Sequence, residues 1–313
     1  KVIEWGKPVY RSAGVYAYFA FIKKELKQVR PDIFWEVNSI IPINLGGSFK
    51  TLITIHDMFP IQYVRYFGKI YSYYFKFNLG VTLRHTDMIL YNSEQTKDDT
   101  EMYFPKAKKI PSCNAYIISN PLTRYVPPKD ENYFLYVGNM EKRKGVDILV
   151  KAYRRYREEG GTRPLILAGK MQEDDIEQLL ETALTEVEGL TYLGYVSHTT
   201  RYDLYNNCSC FVFPSMAGFG MPILEVMKHN KPILASNLKI FDEVVGDCVE
   251  RFSLAGDDDD KVISLVNGMK NIDKKINSGL VDENAYRHAL DKYTPERLGG
   301  MVRDFINSQM NNR

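Results

Sequence analysis

Short apolar runs of strand length recur along the whole chain, and a segment of helical length separates each run from the next. They occupy residues 33–35, 51–55, 88–91, 133–137, 164–168, 190–193, 210–213 and 232–235. Their apolar residues are continuous, as in parallel strands covered on both faces, whereas a strand with one solvent face alternates apolar and polar residues. The pattern predicts an α/β fold with two doubly wound sheets.

Chain length and one proline-rich segment indicate how the domains divide. At 313 residues the chain is about twice as long as a typical domain, so two domains are expected. Residues 122–132 include Pro127, Pro128 and a charged run, which is typical of an exposed connection. We therefore assign residues 1–122 to a first Rossmann-like domain and residues 123–313 to a second.

Composition and charge exclude several classes of protein. With 44% hydrophobic and 26% charged residues, the chain is neither disordered nor fibrous. A formal net charge of +2 is too small for a dedicated nucleic-acid-binding protein. The first 122 residues carry 16 basic and 10 acidic side chains and the remainder carry 25 and 29, which indicates different partners for the two halves.

Cysteine content and hydropathy indicate the compartment. Cys113, Cys208, Cys210 and Cys248 match neither a disulfide framework nor a zinc-binding spacing, so we interpret them as thiols in a reducing compartment. The sequence has no run long enough to span a membrane and nothing that resembles a signal peptide. We therefore expect a soluble, cytoplasmic protein.

The residues that follow the predicted strands are the candidates for a site, because open parallel sheets bind ligands beyond the carboxyl ends of their strands. After the strand at 133–137 come Gly138 and, at the start of a predicted helix, Arg143 and Lys144. Two cations and a helix N-terminus suit a diphosphate. A solvated basic turn is the alternative interpretation.

A second glycine-containing loop follows the strand at 210–213. Gly218, Phe219, Gly220 and Met221 would expose backbone N–H groups to a phosphate or a sugar. Glu225 lies about one helical turn further, where a carboxylate accepts ribose hydroxyls or serves as a structural cap. After the strand at 190–193, the backbone of Tyr195 and Val196 is a candidate for reading a base edge.

In the first half, His56 stands directly after the strand at 51–55. A histidine in that place is a candidate for contact with a reacting group. A histidine satisfied within a turn is the alternative. The helix that should follow the strand at 88–91 is predicted to begin at Ser93 as its N-cap.

Taken in order, four motifs of the second half resemble those of the retaining family-4 glycosyltransferases. They are Gly-Asn-Met-Glu-Lys-Arg-Lys-Gly from Gly138, Leu-Gly-Tyr-Val from Leu193, Phe-Pro-Ser-Met-Ala-Gly-Phe-Gly-Met-Pro-Ile-Leu-Glu from Phe213, and Lys-Pro-Ile-Leu-Ala-Ser-Asn from Lys231. The resemblance implies the GT-B architecture, two Rossmann-like domains with a cleft between them. It also implies a last helix at residues 295–309 that crosses back to the first domain.

The resemblance assigns roles to individual residues. Arg143, Lys144 and Gly138 would bind the diphosphate of a nucleotide-sugar donor built on UDP, GDP or dTDP. Tyr195 and Val196 would hold the base, and Glu225 the ribose. Gly218, Phe219, Gly220 and Met221 would contact phosphate and sugar, and His56 would be the catalytic histidine.

The reaction that the resemblance implies is transfer of a hexosyl group with retention, without a cofactor and without a required metal. The acceptor would be a saccharide or a lipid-linked saccharide, in the synthesis of a cell-surface polysaccharide or a glycolipid. Fixed cations and helix N-termini would stabilise the leaving diphosphate.

The sequence departs from the family pattern in two places. Ala217 stands where the family carries the first glutamate of a pair whose second member is Glu225. The first domain also lacks a convincing opening strand before Ser12-Ala13-Gly14. These departures motivate a second hypothesis, a catalytically weak GT-B subunit that binds sugar or a partner. A phosphorylase or an epimerase on the same architecture is a third hypothesis, which no set of residues favours.

A basic, aromatic segment at residues 61–86 bears on the acceptor. It contains eight Tyr or Phe side chains between Tyr63 and Phe77, four cations and no acidic residue. Such a surface fits peripheral contact with anionic lipid at the inner face of the membrane. The pattern somewhat favours a plainer interpretation, an amphipathic helix whose aromatic side chains are core.

Overall fold

The computed structural model describes residues 12–42, 45, 48–115, 131–276 and 281–311, with side chains from residue 17 onward. The chain divides into two compact units: Lys1–Ile117 with Pro295–Arg313, and Ile118–Thr294. The connection predicted at residues 122–132 lies largely outside the described residues. Each unit contains one parallel β-sheet.

The first sheet has four parallel strands in sequential order: β1 Ile33–Glu36, β2 Lys50–Ile55, β3 Met88–Tyr91 and β4 Ser112–Asn114. The first three were predicted, and β4 was not. Alternate residues of β2 and β3 point to opposite faces. Ile53 and Ile89 pack in one core cluster, and Leu52 and Leu90 pack in another. Both faces of the sheet are therefore covered, which explains the continuous apolar runs.

Helices cover both faces of the first sheet. Val302, Phe305 and Ile306 of α13 pack on the face formed by Leu52 and Leu90. The predicted helix at 295–309 is thus present and lies against the first sheet. The helices of this unit are α1 Ser12–Val29, α2 Phe59–Gln62, α3 Val64–Phe67, α4 Lys69–Thr82, α5 Glu94–Tyr103 and α13 Pro295–Asn311.

The second sheet is also parallel throughout. Its strands are β5 Phe134–Val137, β6 Leu165–Ala168, β7 Leu190–Tyr192, β8 Cys210–Phe213, β9 Ile233–Ser236 and β10 Glu250–Phe252. Their spatial order is β10-β9-β8-β5-β6-β7. This is the doubly wound Rossmann order, in which the direction of winding reverses between the first and the fourth strand. All but β10 were predicted.

Helices of the second unit form its core against both faces of the sheet. Val146, Leu149, Val150 and Tyr153 of α6 are fully buried, as their spacing predicts. Asp257 and Asp260 form a capping box at the start of α11, in which each side chain accepts from the backbone N–H of the other residue. The helices are α6 Val146–Glu158, α7 Asp174–Glu186, α8 His198–Asn207, α9 Met221–Met227, α10 Lys239–Val245, α11 Asp258–Lys275 and α12 Glu283–Asp291.

A buried arginine, Arg163, forms hydrogen bonds with several residues at the edge of this core. The guanidinium of Arg163 donates to Asp273 Oδ1 at 2.8 Å, to Asn132 Oδ1 at 2.5 Å and to Ser209 Oγ at 2.5 Å. It also lies 5.7 Å from the centre of the Phe134 ring. A buried cation needs such a set of acceptors because its desolvation is otherwise uncompensated.

All four cysteines are free thiols; Cys208 and Cys210 are buried, and Cys113 and Cys248 are half-buried. Among the helices that the structure describes, none combines the length and the apolar character needed to cross a bilayer.

Candidate functional site

The winding of the second sheet reverses between β5 and β8, and the loops after these two strands lie side by side. The backbone N–H of Met216 donates to the carbonyl of Arg143 at 3.0 Å. A β-carbon on Gly145, whose φ is +70°, would stand 2.2 Å from the carbonyl oxygen of Pro214. Only glycine permits this approach. The structure therefore brings together the two glycine-containing loops that are separated by about seventy residues of sequence.

The predicted basic pair lies at this junction. Lys142, Arg143 and Lys144 form a 3₁₀ turn that leads into α6. The Nζ of Lys144 lies 3.3 Å from the position of a β-carbon on Gly218. Lys144 is thus directed at the glycine loop after β8.

Arg143 has an internal carboxylate partner that the sequence analysis did not anticipate. Its Nη2 lies 2.6 Å from Glu141 Oε1, and both side chains are mostly buried. Lys142, the third cation of the turn, instead pairs with Asp175 on α7 at the surface. Lys144 is directed towards the junction of the loops, and Arg143 contacts the loop after β8 through its backbone carbonyl.

Two serine hydroxyls donate hydrogen bonds to backbone carbonyls of the loop after β8 and hold this loop in place. Ser236 Oγ donates to the carbonyl of Ser215 at 2.6 Å, and Ser215 Oγ donates to the carbonyl of Ala217 at 2.7 Å. Gly218 and Gly220 adopt φ values of +123° and +90°, which L-residues rarely adopt. Gly220 is the N-cap of α9 and offers no capping side chain. Ala217 is buried at the base of this loop.

Glu225, on α9, faces two polar side chains of α8. Its Oε2 accepts a hydrogen bond of 3.0 Å from the hydroxyl of Tyr205, and its Oε1 lies 3.7 Å from Nη2 of Arg201. Sequence reasoning missed both partners, which lie about twenty residues earlier in the chain. Tyr195 and Val196 stand just before α8, and the side chain of Tyr195 is largely exposed.

In the first unit, His56 follows β2 directly. Its Nε2 lies 2.8 Å from the carbonyl oxygen of Val37. A carbonyl only accepts, so Nε2 carries the proton and Nδ1 is the ring nitrogen that can accept. The carbonyl of His56 accepts from Thr96 Oγ1 at 3.3 Å, and Ser93 Oγ caps α5 by accepting from the Thr96 N–H at 3.0 Å, as predicted.

A buried carboxylate, one residue before the Val37 that His56 contacts, was also missed. Glu36 ends β1, is 8% exposed and accepts a hydrogen bond of 3.2 Å from the backbone N–H of Asn38. Burial raises the pKa of its carboxyl above the usual value. It stands at the carboxyl end of its strand, the same signal that identified His56.

One face of α4 is apolar and exposed, and here the plainer interpretation of residues 61–86 is wrong. Phe75 and Leu79 are buried, but Ile70, Tyr73 and Phe77 are 89%, 73% and 69% exposed. Tyr71 and Tyr74 are exposed as well and line an open groove of about 660 Å³ with Phe67. The aromatic side chains of this segment are thus mainly surface.

In the part of the chain that the structure describes, no three His, Cys, Asp or Glu side chains are grouped so as to hold a metal ion. The chemistry of the junction in the second unit is that of fixed cations, glycine backbone and one pinned carboxylate.

Comparison with known proteins gives a consistent result. A family model for the glycosyl transferases group 1 matches residues 123–297. The O-antigen chain mannosyltransferase B of Escherichia coli is 31% identical over 237 residues, which is 71% of this chain and 61% of that protein. The chain therefore spans less than two thirds of the length of this relative.

Two solved structures show the same fold. The sucrose-phosphate synthase of Thermosynechococcus elongatus has a TM-score of 0.74 at 15% identity, over 100% of this chain and 81% of that chain. Anabaena Alr3699/HepE, solved in complex with UDP and glucose, has a TM-score of 0.73 at 16% identity, over 96% of this chain and 84% of that chain. The architecture is GT-B, two parallel-sheet Rossmann-like domains.

Proposed function

Because this chain belongs to the glycosyl transferases group 1 family, we propose that it transfers a hexosyl group from a nucleotide sugar to a saccharide or a lipid-linked saccharide. The product would be a cell-surface polysaccharide or a glycolipid. The O-antigen chain mannosyltransferase named among its relatives supports this direction. Retention of configuration and independence of metal are part of the proposal and rest on the resemblance to family-4 enzymes.

The observation that carries the proposal is the junction of Lys144 with the loop at Gly218. Arg143 and Lys144, with the backbone at Gly138, would neutralise the diphosphate. Gly218, Phe219, Gly220 and Met221 would contact phosphate and sugar through their backbone. The remaining contacts would be those of Glu225 with the ribose and of Tyr195 and Val196 with the base.

Chemistry at this site would depend on charge that is fixed before the reaction begins. As the sugar–phosphate bond breaks, negative charge grows on the leaving diphosphate, and pre-positioned cations stabilise that charge without reorganisation. The acceptor hydroxyl would attack from the face that the diphosphate leaves, with a phosphate oxygen taking its proton. His56, with Nδ1 able to accept, would contact the transferred sugar as the catalytic histidine.

Binding of nucleotide tests the proposal. Thermal unfolding of the chain is measured with UDP, GDP and dTDP; stabilisation by one of them, lost in Arg143→Ala/Lys144→Ala, is the expected result. Lys142→Ala is the matched control because it removes a cation of the same turn that pairs with Asp175. No stabilisation by any nucleotide would contradict a donor site in this unit.

A catalytically weak subunit is the second candidate, and buried Ala217 favours it because the expected acid is missing there. Transfer is assayed with the sugar of whichever nucleotide binds. Turnover above background supports the enzyme. Turnover at background that Ala217→Glu does not restore, together with nucleotide binding, supports the binding subunit.

For the membrane contact of residues 61–86, we propose that α4 lies on an anionic lipid surface. Ile70, Tyr73 and Phe77 form its exposed face, and Lys69 and Lys76 are exposed on the same helix. Amphipathic aromatic rings beside cations suit the lipid headgroup region. A second copy of the chain fits less well, because a two-fold contact through this face would set cations against cations with no acid between them.

A further inference from the structure

Glu225 is held from the protein side by two groups of one helix. The Tyr205 hydroxyl donates to Oε2 at 3.0 Å, and Nη2 of Arg201 lies 3.7 Å from Oε1. Tyr205 and Arg201 are one helical turn apart on α8, so both reach the same neighbour. Each carboxylate oxygen thus faces one partner side chain.

Tyr205 is a rigid partner. It is 3% exposed, and its ring packs edge-on against Phe211 of β8 with ring centres 5.7 Å apart. Mainly because it is buried, the Tyr205 hydroxyl has a pKa well above the usual value. The hydroxyl therefore keeps its proton at every working pH and always donates to the carboxylate.

Arg201 lies beside the second carboxylate oxygen and limits the rotation of the carboxylate. It is two-thirds buried, and its Nη2 also lies 2.9 Å from Nδ1 of His198 at the start of α8. Ionised carboxylates only accept hydrogen bonds, through about four lone-pair positions. Tyr205 and Arg201 leave some of these positions to the open side, where the Glu225 side chain is 24% exposed.

We infer that Tyr205 and Arg201 are positioning residues that hold Glu225 in one orientation for the ribose hydroxyls, so that the site selects ribonucleotides over 2′-deoxynucleotides. The inference rests on the proposed donor site and adds to it the sugar class of the nucleotide. A carboxylate that rotated freely could turn to whichever hydroxyl remained. A pinned carboxylate loses a charged hydrogen bond when the 2′-hydroxyl is absent.

Binding constants for ribo- and deoxyribonucleotide pairs test this inference on the full chain. UDP is compared with dUDP, and GDP with dGDP, by calorimetry. We expect the ribonucleotide of the pair that binds to bind roughly tenfold or more tightly, the usual value of one charged hydrogen bond. The ratio of ribonucleotide affinity to deoxyribonucleotide affinity should fall by about threefold or more in Tyr205→Phe and in Arg201→Gln.

Tyr133→Phe is the matched control. The Tyr133 hydroxyl also donates to α8, but to the backbone carbonyl of Leu204, at 3.0 Å. In Tyr133→Phe, the ratio of ribonucleotide affinity to deoxyribonucleotide affinity should equal that of the parent chain. A merely structural role of Tyr205 would weaken both nucleotides equally and leave the ratio unchanged.

The possible failures are distinguishable. If ribonucleotide and deoxyribonucleotide bind equally to the parent chain, or if the parent chain binds dTDP and neither UDP nor GDP, the inference is wrong and the donor site stands. An unchanged ratio in folded Tyr205→Phe and Arg201→Gln, checked by urea unfolding, overturns the positioning role. Absence of binding by any nucleotide overturns the proposed function and this inference with it.

Discussion

Lys144 lies over Gly218, its Nζ 3.3 Å from the point that a β-carbon on that glycine would occupy. The two residues belong to different loops, one after β5 and one after β8, at the switch point of the second sheet. Their proximity assembles a cation and a bare backbone into one site.

Gly218→Ala should weaken nucleotide binding by about tenfold, because the methyl group displaces Lys144. Its φ of +123° should also cost about 1–3 kcal/mol of stability. Gly246→Ala is the control: its φ is +54° and a β-carbon there meets nothing within 4 Å, so it should lose stability and keep binding. Calorimetry and urea unfolding measure the two effects, and equal binding losses would contradict the prediction.

Glu141→Gln should strengthen diphosphate binding by about fivefold at low salt. Glu141 neutralises Arg143 from 2.6 Å, and the substitution frees that charge for the ligand. Asp175→Asn, which releases Lys142 instead, should change affinity little. Weaker binding in Glu141→Gln would mean that Glu141 orients Arg143 rather than competing with the ligand.

Asp273→Ala should destabilise the second unit by about 2–4 kcal/mol, because it leaves the Arg163 cation without its carboxylate partner. Glu188→Ala breaks the exposed ion pair with Arg157 and should cost less than about 1 kcal/mol. Urea unfolding of both variants measures the difference. Similar losses in the two would show that the Arg163 network is dispensable.

His229 should make stability fall in mild acid. Burial lowers its pKa to about 4, whereas an unfolded histidine titrates near 6.5. Between these pH values the unfolded chain binds more protons, so the free energy of unfolding falls as pH drops, by at most about 3 kcal/mol. Glu36 and Asp147 have raised pKa values and act in the opposite sense. His229→Gln therefore isolates the effect: its stability should fall less than that of the parent chain between pH 6.5 and pH 4.

Ile70→Ser/Tyr73→Ser/Phe77→Ser should reduce sedimentation with anionic vesicles by roughly tenfold or more, because three apolar side chains no longer enter the interface. Vesicles of phosphatidylcholine alone should bind the parent chain weakly, and added salt should release it from anionic ones. Met102→Ser removes an equally exposed apolar side chain on α5 and should bind as the parent does. Equal binding by the triple variant would refute the lipid surface.

Sequence alone predicted eight of the ten described strands, since strands buried on both faces appear as continuous apolar runs. The two that it missed, β4 and β10, are three-residue edge strands containing Ser112, Asn114, Glu250 and Arg251. Polar residues interrupt any apolar run in these two strands, whereas the other two edge strands, β1 and β7, have apolar runs and were predicted.

Arg143, Lys144 and Glu225 were identified from the sequence because each follows a strand, and ligands bind beyond strand ends. Their partners Glu141, Tyr205 and Arg201 were not. Tyr205 and Arg201 lie on α8, and local sequence does not report which side chains of neighbouring elements meet, because strand order and helix packing determine that. Glu141 stands two residues before Arg143, but the sequence does not tell which of the three nearby cations it pairs with.

The sequence by itself thus determined the α/β class and the family, and it indicated the loops of the candidate site, all of which depend on local pattern. Only the tertiary structure decided that Lys144 meets Gly218, that Tyr205 pins Glu225 and that one face of α4 stays open. A helix with aromatic side chains all round can bury either face, and the sheet it packs on covers only one of them. Contacts of this kind depend on the spatial order of the strands in the sheet, and no short segment of sequence specifies that order.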